Sequence, residues 1–492
     1  MTPEKVDSKS LIRGLGLIAA VSVIIGNVIG TGVFLKARVM TCNVGSPGWV
    51  IAAWVAAGFL SLSGALTYAE LTAMRPVAGA QNVFLKETYG KVASFLFGWM
   101  QILVARPGSQ AAAAMAFSIG VNDFLDGKLA KSIAEFNLGS MHIEITTLQT
   151  VALMVIFIFT TLNCASISLT GRIATALTFV KIALIVFVAG GAFVLVSGDF
   201  SHMSMVNSGG ACEGVSESVR YGTPSYSFLG GFAAAMLGAL WGYDGWDNLT
   251  FVAGEVKDPK RNIPLAIVGS MLVIIVLYLL AQLAYFYVLD PTTIASVSKN
   301  SSVAKVVVSM FFGGTATSVA TGAAVAFFTV GLMLSSLGTL HTSLMSAARV
   351  PYRMAREGLF FRTFGRLSIN HVPVASVLLT GALAAVLALI GSFDTLTDYV
   401  VFAMWIFYAL ITGSIFIYRR KYPHLERPYK AWGYPVVPVI FLLVAAWLLY
   451  RTVIDSPWQS VTGLIIIAAG LPFYFFFVRT GSPEEVINED VE

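Results

Sequence analysis

The chain has 492 residues, 57% of them hydrophobic and 12% charged, with a net charge of +5 and a mean hydropathy of +0.79. Soluble domains carry about twice that share of charge, so the composition excludes an ordinary soluble protein. It describes an all-α polytopic membrane protein embedded in a lipid bilayer.

Apolar stretches of roughly 20 residues, enough to cross a bilayer, recur along the chain. Twelve transmembrane helices are expected, centred near residues 25, 60, 107, 155, 184, 241, 276, 328, 382, 406, 445 and 467. They form one transmembrane domain, residues 13–478, between polar tails at 1–12 and 479–492. The first hydrophobic run is too long for a signal-peptide core and lacks a small-residue cleavage pattern, so it is expected to stay in the mature protein. Short loops on the cytoplasmic side retain lysine and arginine. With the N-terminus inside, 21 of the 31 basic residues fall on that side and 8 on the other, which places both termini in the cytoplasm. The positive charge is therefore a topology signal for a multi-pass protein of the cell membrane, and no nucleic-acid partner is expected.

The first span contains "VIIGNVIGTGVF", residues 23–34, in which Gly26, Gly30 and Gly32 surround the polar Asn27 and Thr31. Unpaired backbone groups are costly in hydrocarbon and are tolerated where they line a cavity or meet a ligand. A break here turns the amides of Thr31, Gly32 and Val33, at the positive end of a half-helix, toward an anion such as a carboxylate. The carbonyls near Val28 and Ile29 suit an ammonium. The competing reading is a small-residue packing face made by Gly26 and Gly30.

Two spans further on, Arg106 in "VARPGSQ" lies mid-membrane beside the kinking Pro107. It either lines the permeation path or pairs with an acid such as Asp244 or Asp247. Lys181 in the fifth span either snorkels to the cytoplasmic surface or presents a tethered cation to the broken first helix. The sixth span, "LGGFAAAMLGALWGYDGWDNLTFVAG", is again interrupted, with Gly238, Gly242 and Gly245 around Asp244 and Asp247. Carbonyls near Trp241 and Gly242 would complete a cation site, and the Trp241 ring would either cover a substrate or pack in the bundle. Glu70 and Glu255 sit at cytoplasmic span ends and are expected to pair with loop arginines.

Five spans separate the two breaks, so the second unit enters from the opposite side. That is the arithmetic of an inverted repeat, residues 13–197 and 229–418, and paired breaks of this kind point to a site at the bilayer midplane. A free amino acid, with both charges about one bond apart, is the small-molecule substrate that fits. Cys42, Cys164 and Cys212 are widely separated and form no disulfide ladder, the five histidines lack metal-ligand spacing, and no catalytic constellation is visible. Neither an enzyme, a cofactor nor a metal is expected.

"IGTGVF", "YAELTAMRPVAGA", "YDGWDNLTFVAGEVKDPKRNIP" and "SAARVPYRMAREGLF" occur in order between about residues 14 and 375. Together they resemble the amino acid-polyamine-organocation superfamily, and most closely its L-type amino acid transporter family, with Thr31 standing for the usual serine. The resemblance implies a LeuT-like 5+5 inverted repeat with broken helices 1 and 6, and sodium-independent alternating access by an exchanger (antiporter) or proton-coupled permease. By position it assigns the substrate carboxylate to Thr31 and Gly32, the ammonium to Val28, Trp241 and Asp244, the gate to Trp241, and the place of an ion to Lys181. Asp247 replaces an asparagine common in that family, and favours cationic substrates or neutralises Arg106. Animal members join a glycoprotein through a cysteine between spans 3 and 4. Residues 123–147 contain none, so no disulfide-linked heavy chain is expected. An amine or polyamine transporter of the same fold is the alternative, and an amino acid sensor a more distant one.

Overall fold

A computed structural model describes residues 15–77, 79–138, 141–165, 170–313, 319–368, 372–455 and 457–480. The expected N-terminal tail, and the C-terminal tail beyond residue 480, lie outside these. Helices dominate, because a backbone in hydrocarbon must satisfy its polar groups within its own segment.

In chain order the helices are α1 (Leu17–Val28), α2 (Gly32–Leu35), α3 (Ala37–Val44), α4 (Pro47–Met74), α5 (Ala80–Tyr89), α6 (Lys91–Met100) and α7 (Arg106–Phe124). After them come α8 (Thr147–Ala165), α9 (Thr170–Leu195), α10 (Phe228–Tyr243), α11 (Pro259–Val288), α12 (Pro291–Ser296), α13 (Val303–Ser309) and α14 (Val319–Ala347). The chain continues through α15 (Arg349–Arg356), α16 (Val374–Ile390), α17 (Phe393–Lys421), α18 (Val436–Asp455), α19 (Pro457–Ala468) and α20 (Gly470–Thr480). Serine side chains start several of them: Ser46, Ser227 and Ser392 accept from the amides of Trp49, Gly230 and Thr395. Each satisfies an amide that has no acceptor within its own helix.

Among the described residues, nine helical spans are long and apolar enough to cross a membrane, and α16 is a shorter apolar helix. Helices also pass through the expected centres at 107 and 241. The first is interrupted by a wide turn, Gln101–Ala105, between α6 and α7. The second gives way after Tyr243 to a tighter turn, Asn248–Glu255. The main buried cluster draws on α1, α4, α10, α11 and α17, with Trp54, Trp246, Tyr243, Tyr278 and Tyr408 among its buried aromatic rings.

Three features depart from the sequence reading. Residues 123–147, read as a plain gap, hold an antiparallel hairpin of β1 (Ser132–Leu138) and β2 (Met141–Thr146), with Glu135 opposite Glu144. Cys42 and Cys212, set aside as unconnected, form a disulfide across 170 residues. Linear spacing hides such a bond because the chain returns from α9 over the end of α3. Lys36 and Arg38, two of the eight basic residues that the sequence reading places on the non-cytoplasmic side, are buried at that same end.

Candidate functional site

α1 stops at Val28, Ile29 is extended (φ −70°, ψ 92°), and helical structure resumes at Gly32. The amides of Thr31, Gly32 and Val33 thus begin a half-helix, where no preceding turn supplies them an acceptor. The three glycines have different reasons. A Cβ on Gly26 would lie 2.6 Å from Thr178 Oγ1, so this glycine packs α1 against α9. A Cβ on Gly30 would meet nothing nearer than 3.8 Å. One on Gly32 would lie 2.8 Å from Gly242 Cα, so the two broken spans touch backbone to backbone.

The second break begins with Asp244 in an extended conformation, followed by Gly245 at φ +106°. That left-handed angle, with a virtual Cβ 3.2 Å from Asn27 Cβ, requires glycine. The breaks enclose a cavity of about 40 Å³ lined by Asn27, Val28, Gly30, Thr31, Gly32, Ser109, Ala113, Trp241, Asp244 and Thr339. All five residues named from the sequence as substrate-binding, Val28, Thr31, Gly32, Trp241 and Asp244, are in its wall. Trp241 meets Phe393 edge to face at 6.4 Å and also packs on apolar side chains of the bundle.

Lys181 is buried, and its Nζ donates to the Gly26 carbonyl at 2.7 Å and to Thr339 Oγ1 at 2.9 Å. It turns toward the first break and does not snorkel. Arg106 forms no ion pair with Asp244 or Asp247 among the described residues, which corrects one of the two expectations for it. Its Nη1 donates to Asn248 Oδ1 at 3.2 Å and its Nε to Gln101 Oε1 at 3.1 Å, with the guanidinium 4.8 Å from the Phe251 ring centre. A wide turn at Gln101–Ala105 rotates it toward these partners. Asp247 is buried behind the cavity, where its Oδ2 accepts from Gln81 Nε2 at 2.7 Å.

Two carbonyls assigned to an ammonium share one donor. Tyr278 Oη lies 2.9 Å from Val28 O and 2.8 Å from Gly242 O, fastening the two breaks together. Each carbonyl keeps a second lone pair. Sequence reasoning missed Tyr278, Tyr408, Gln81, Ser109 and Thr339. A hydroxyl or amide inside an apolar helix is a signal, but without helix rotations it does not say which ones converge.

Two clusters of charge lie outside the cavity wall. Toward α3, Lys36 Nζ contacts Asp394 at 2.9 Å and Asp398 at 3.4 Å, and Arg38 contacts Asp394 at 3.2 Å. Lys36 also lies 5.5 Å from the Phe393 ring centre, next to Trp241. In the second cluster the fully buried Glu70 accepts from Arg419 at 2.9 and 2.6 Å and from the amide of Ala431 at 2.6 Å, with Arg427 at 3.7 Å. The expected pairing of Glu70 with loop arginines is present. The pairing expected for Glu255 is not found: it forms no ion pair among the described residues, and its backbone carbonyl accepts from the amide of Leu15.

The chain is similar along almost its whole length to known transporters. It is 28% identical to the mouse (Mus musculus) b(0,+)-type amino acid transporter 1, over 95% of this chain and 88% of that one. It is 26% identical to the human (Homo sapiens) cystine/glutamate transporter, over 96% and 86%. It is 27% identical to the serine/threonine exchanger SteT of Bacillus subtilis, over 95% and 98%. The sequence pattern of the amino acid permeases matches residues 15–477. The superfamily resemblance drawn from short motifs therefore extends across the molecule, and the chain belongs to the amino acid permease family.

Proposed function

We propose that this permease moves L-amino acids across a cell membrane by sodium-independent alternating access, as an exchanger or a proton-coupled permease. It would use twelve spans, a five-plus-five inverted repeat and cytoplasmic termini. The observation that carries the reading is the cavity between the two breaks. The amides of Thr31, Gly32 and Val33 meet a substrate carboxylate there, and the backbone carbonyls of Val28, Trp241 and Asp244 meet its ammonium. Trp241, between the cavity and the Lys36–Asp394 cluster, is the gate. Lys181 supplies a tethered cation at Gly26, in the place where a sodium-coupled transporter would hold an ion. Because residues 123–147 contain no cysteine, the chain works without a disulfide-linked heavy chain.

Uptake of labelled amino acids into proteoliposomes tests this. Replacing sodium with choline should leave uptake unchanged; uptake that needs a sodium gradient would overturn the role given to Lys181. An amine or polyamine substrate is the second reading, favoured by the carboxylate of Asp244 in the cavity wall. Competition between amino acids and their decarboxylated analogues separates the two. Amino acids should compete and the analogues should not, because only the former occupy the amide cradle.

A further inference from the structure

Asp244 and Asp247 share one hydroxyl. Tyr408 Oη, on α17, lies 2.9 Å from Asp244 Oδ1 and 3.1 Å from Asp247 Oδ1. A phenol carries a single hydrogen, and an ionised carboxylate only accepts. If both carboxyls were ionised, two buried negative charges would face one hydroxyl with a single hydrogen between them, which is costly for like charges. The arrangement is satisfied when one carboxyl keeps its proton and donates to Tyr408 Oη, while Tyr408 donates to the other.

The surroundings point the same way. From α5, Gln81 donates to Asp247 Oδ2, and its own Oε1 is buried with no hydrogen-bond partner among the described residues. From α4, Tyr68 places its ring 6.2 Å from that of Tyr408, and its buried hydroxyl is likewise unpartnered. The Trp246 ring lies 4.7 Å from Tyr68 and 5.1 Å from Tyr408 and keeps water from this side. From α7, Arg106 donates to the neutral side chains of Gln101 and Asn248 and forms no ion pair with either aspartate among the described residues. Lys181 is engaged at Gly26 and Thr339. Asp247 is 2% exposed, and a carboxylate so buried is costly without a direct cation. Asp244 alone of the pair opens on the cavity.

We propose that Asp244, Tyr408 and Asp247 form a proton-binding unit that holds one proton when the cavity is empty or carries a neutral amino acid, and gives it up when a substrate brings a second cationic group. In that exchange the carboxyl O–H bond breaks and the proton passes through the cavity to water. Both aspartates are then ionised. Tyr408 donates to Asp247, and Asp244 accepts the ammonium or guanidinium of the substrate. One positive charge enters as one leaves, so a dibasic substrate binds with no change in the net charge of the unit. The proposal rests on the amino acid reading above.

The test is calorimetric titration of the purified full chain with L-lysine, and with L-leucine and L-serine as neutral probes, in phosphate and in Tris buffer near neutral pH. The dependence of the observed heat on buffer counts the protons released. Lysine is expected to release about one proton and the neutral probes none. Asp247→Asn, which keeps the shape of the side chain, should bring lysine-linked release to none. The proposal is overturned if wild-type protein binds lysine without proton release, if the neutral probes release as much, or if the Asp247→Asn protein still releases it. It is also overturned if neutral amino acids bind and lysine is refused, which leaves amino acid transport standing. Binding of none of the three removes both. The wild-type comparison decides even if the variant fails to fold.

Discussion

Gly32 and Gly26 are chemically identical and separated by less than two turns, yet they are expected to respond differently to substitution. A methyl at Gly32 would meet the Gly242 backbone at 2.8 Å, and a backbone cannot move aside cheaply. At Gly26 it meets the tip of a threonine side chain. Gly32→Val should reduce amino acid uptake to background, whereas Gly26→Ala should retain a measurable fraction of it in the same assay. Equal loss at both positions would count against a special role for the second glycine. Lys181→Ala should lower uptake by about tenfold or more, corresponding to at least ~1.4 kcal/mol, because it removes the cation that holds the Gly26 carbonyl and Thr339. The residue types at this site were legible in the sequence, since glycine, threonine and lysine are anomalous inside apolar spans. Their partners were not, because Thr339 and Tyr278 look like ordinary residues of ordinary helices.

At the scale of elements, two fastenings tie distant parts of the chain together. The Cys42–Cys212 bond ties α3 to the segment after α9, supported by Arg38 donating to Glu213 O at 2.8 Å and by the amide of Tyr221 donating to Cys42 O at 2.8 Å. Cys42→Ser should lower the thermal midpoint of the purified protein, with a cost of about 2–4 kcal/mol if the bond constrains the unfolded chain as it does in soluble proteins. Reduced wild-type protein should show the same shift, and an unchanged midpoint in both would show that the hydrogen bonds suffice. In the second, Glu70 joins α4 to α17 and to the loop after it. Glu70→Gln should destabilise by about 3 kcal/mol, at the lower end for a broken buried pair, because Arg419 retains some access to water. A thermal midpoint within a degree of wild type would mean that the arginines find other partners.

At the scale of the whole molecule, the topology makes its own prediction. Tags placed at either end of the chain should be accessible only from the cytoplasmic side of intact cells, since 21 of 31 basic residues lie on the side assigned to both termini; labelling of either tag from outside would invert the arrangement. The sequence by itself determined that the chain is a bundle of membrane helices, where most of them lie, and that the first and sixth are interrupted. Hydrophobic length and helix-breaking residues act locally, so these properties are visible one segment at a time. Only the tertiary structure decided which residues meet across the bundle: Gly32 against Gly242, Lys181 on Gly26, Arg106 with Asn248 in place of an aspartate, Tyr408 between Asp244 and Asp247, and Cys42 with Cys212. Those contacts depend on how far each helix is rotated about its axis and where it crosses its neighbours. Packing of all the helices together fixes those angles, and no single segment encodes them.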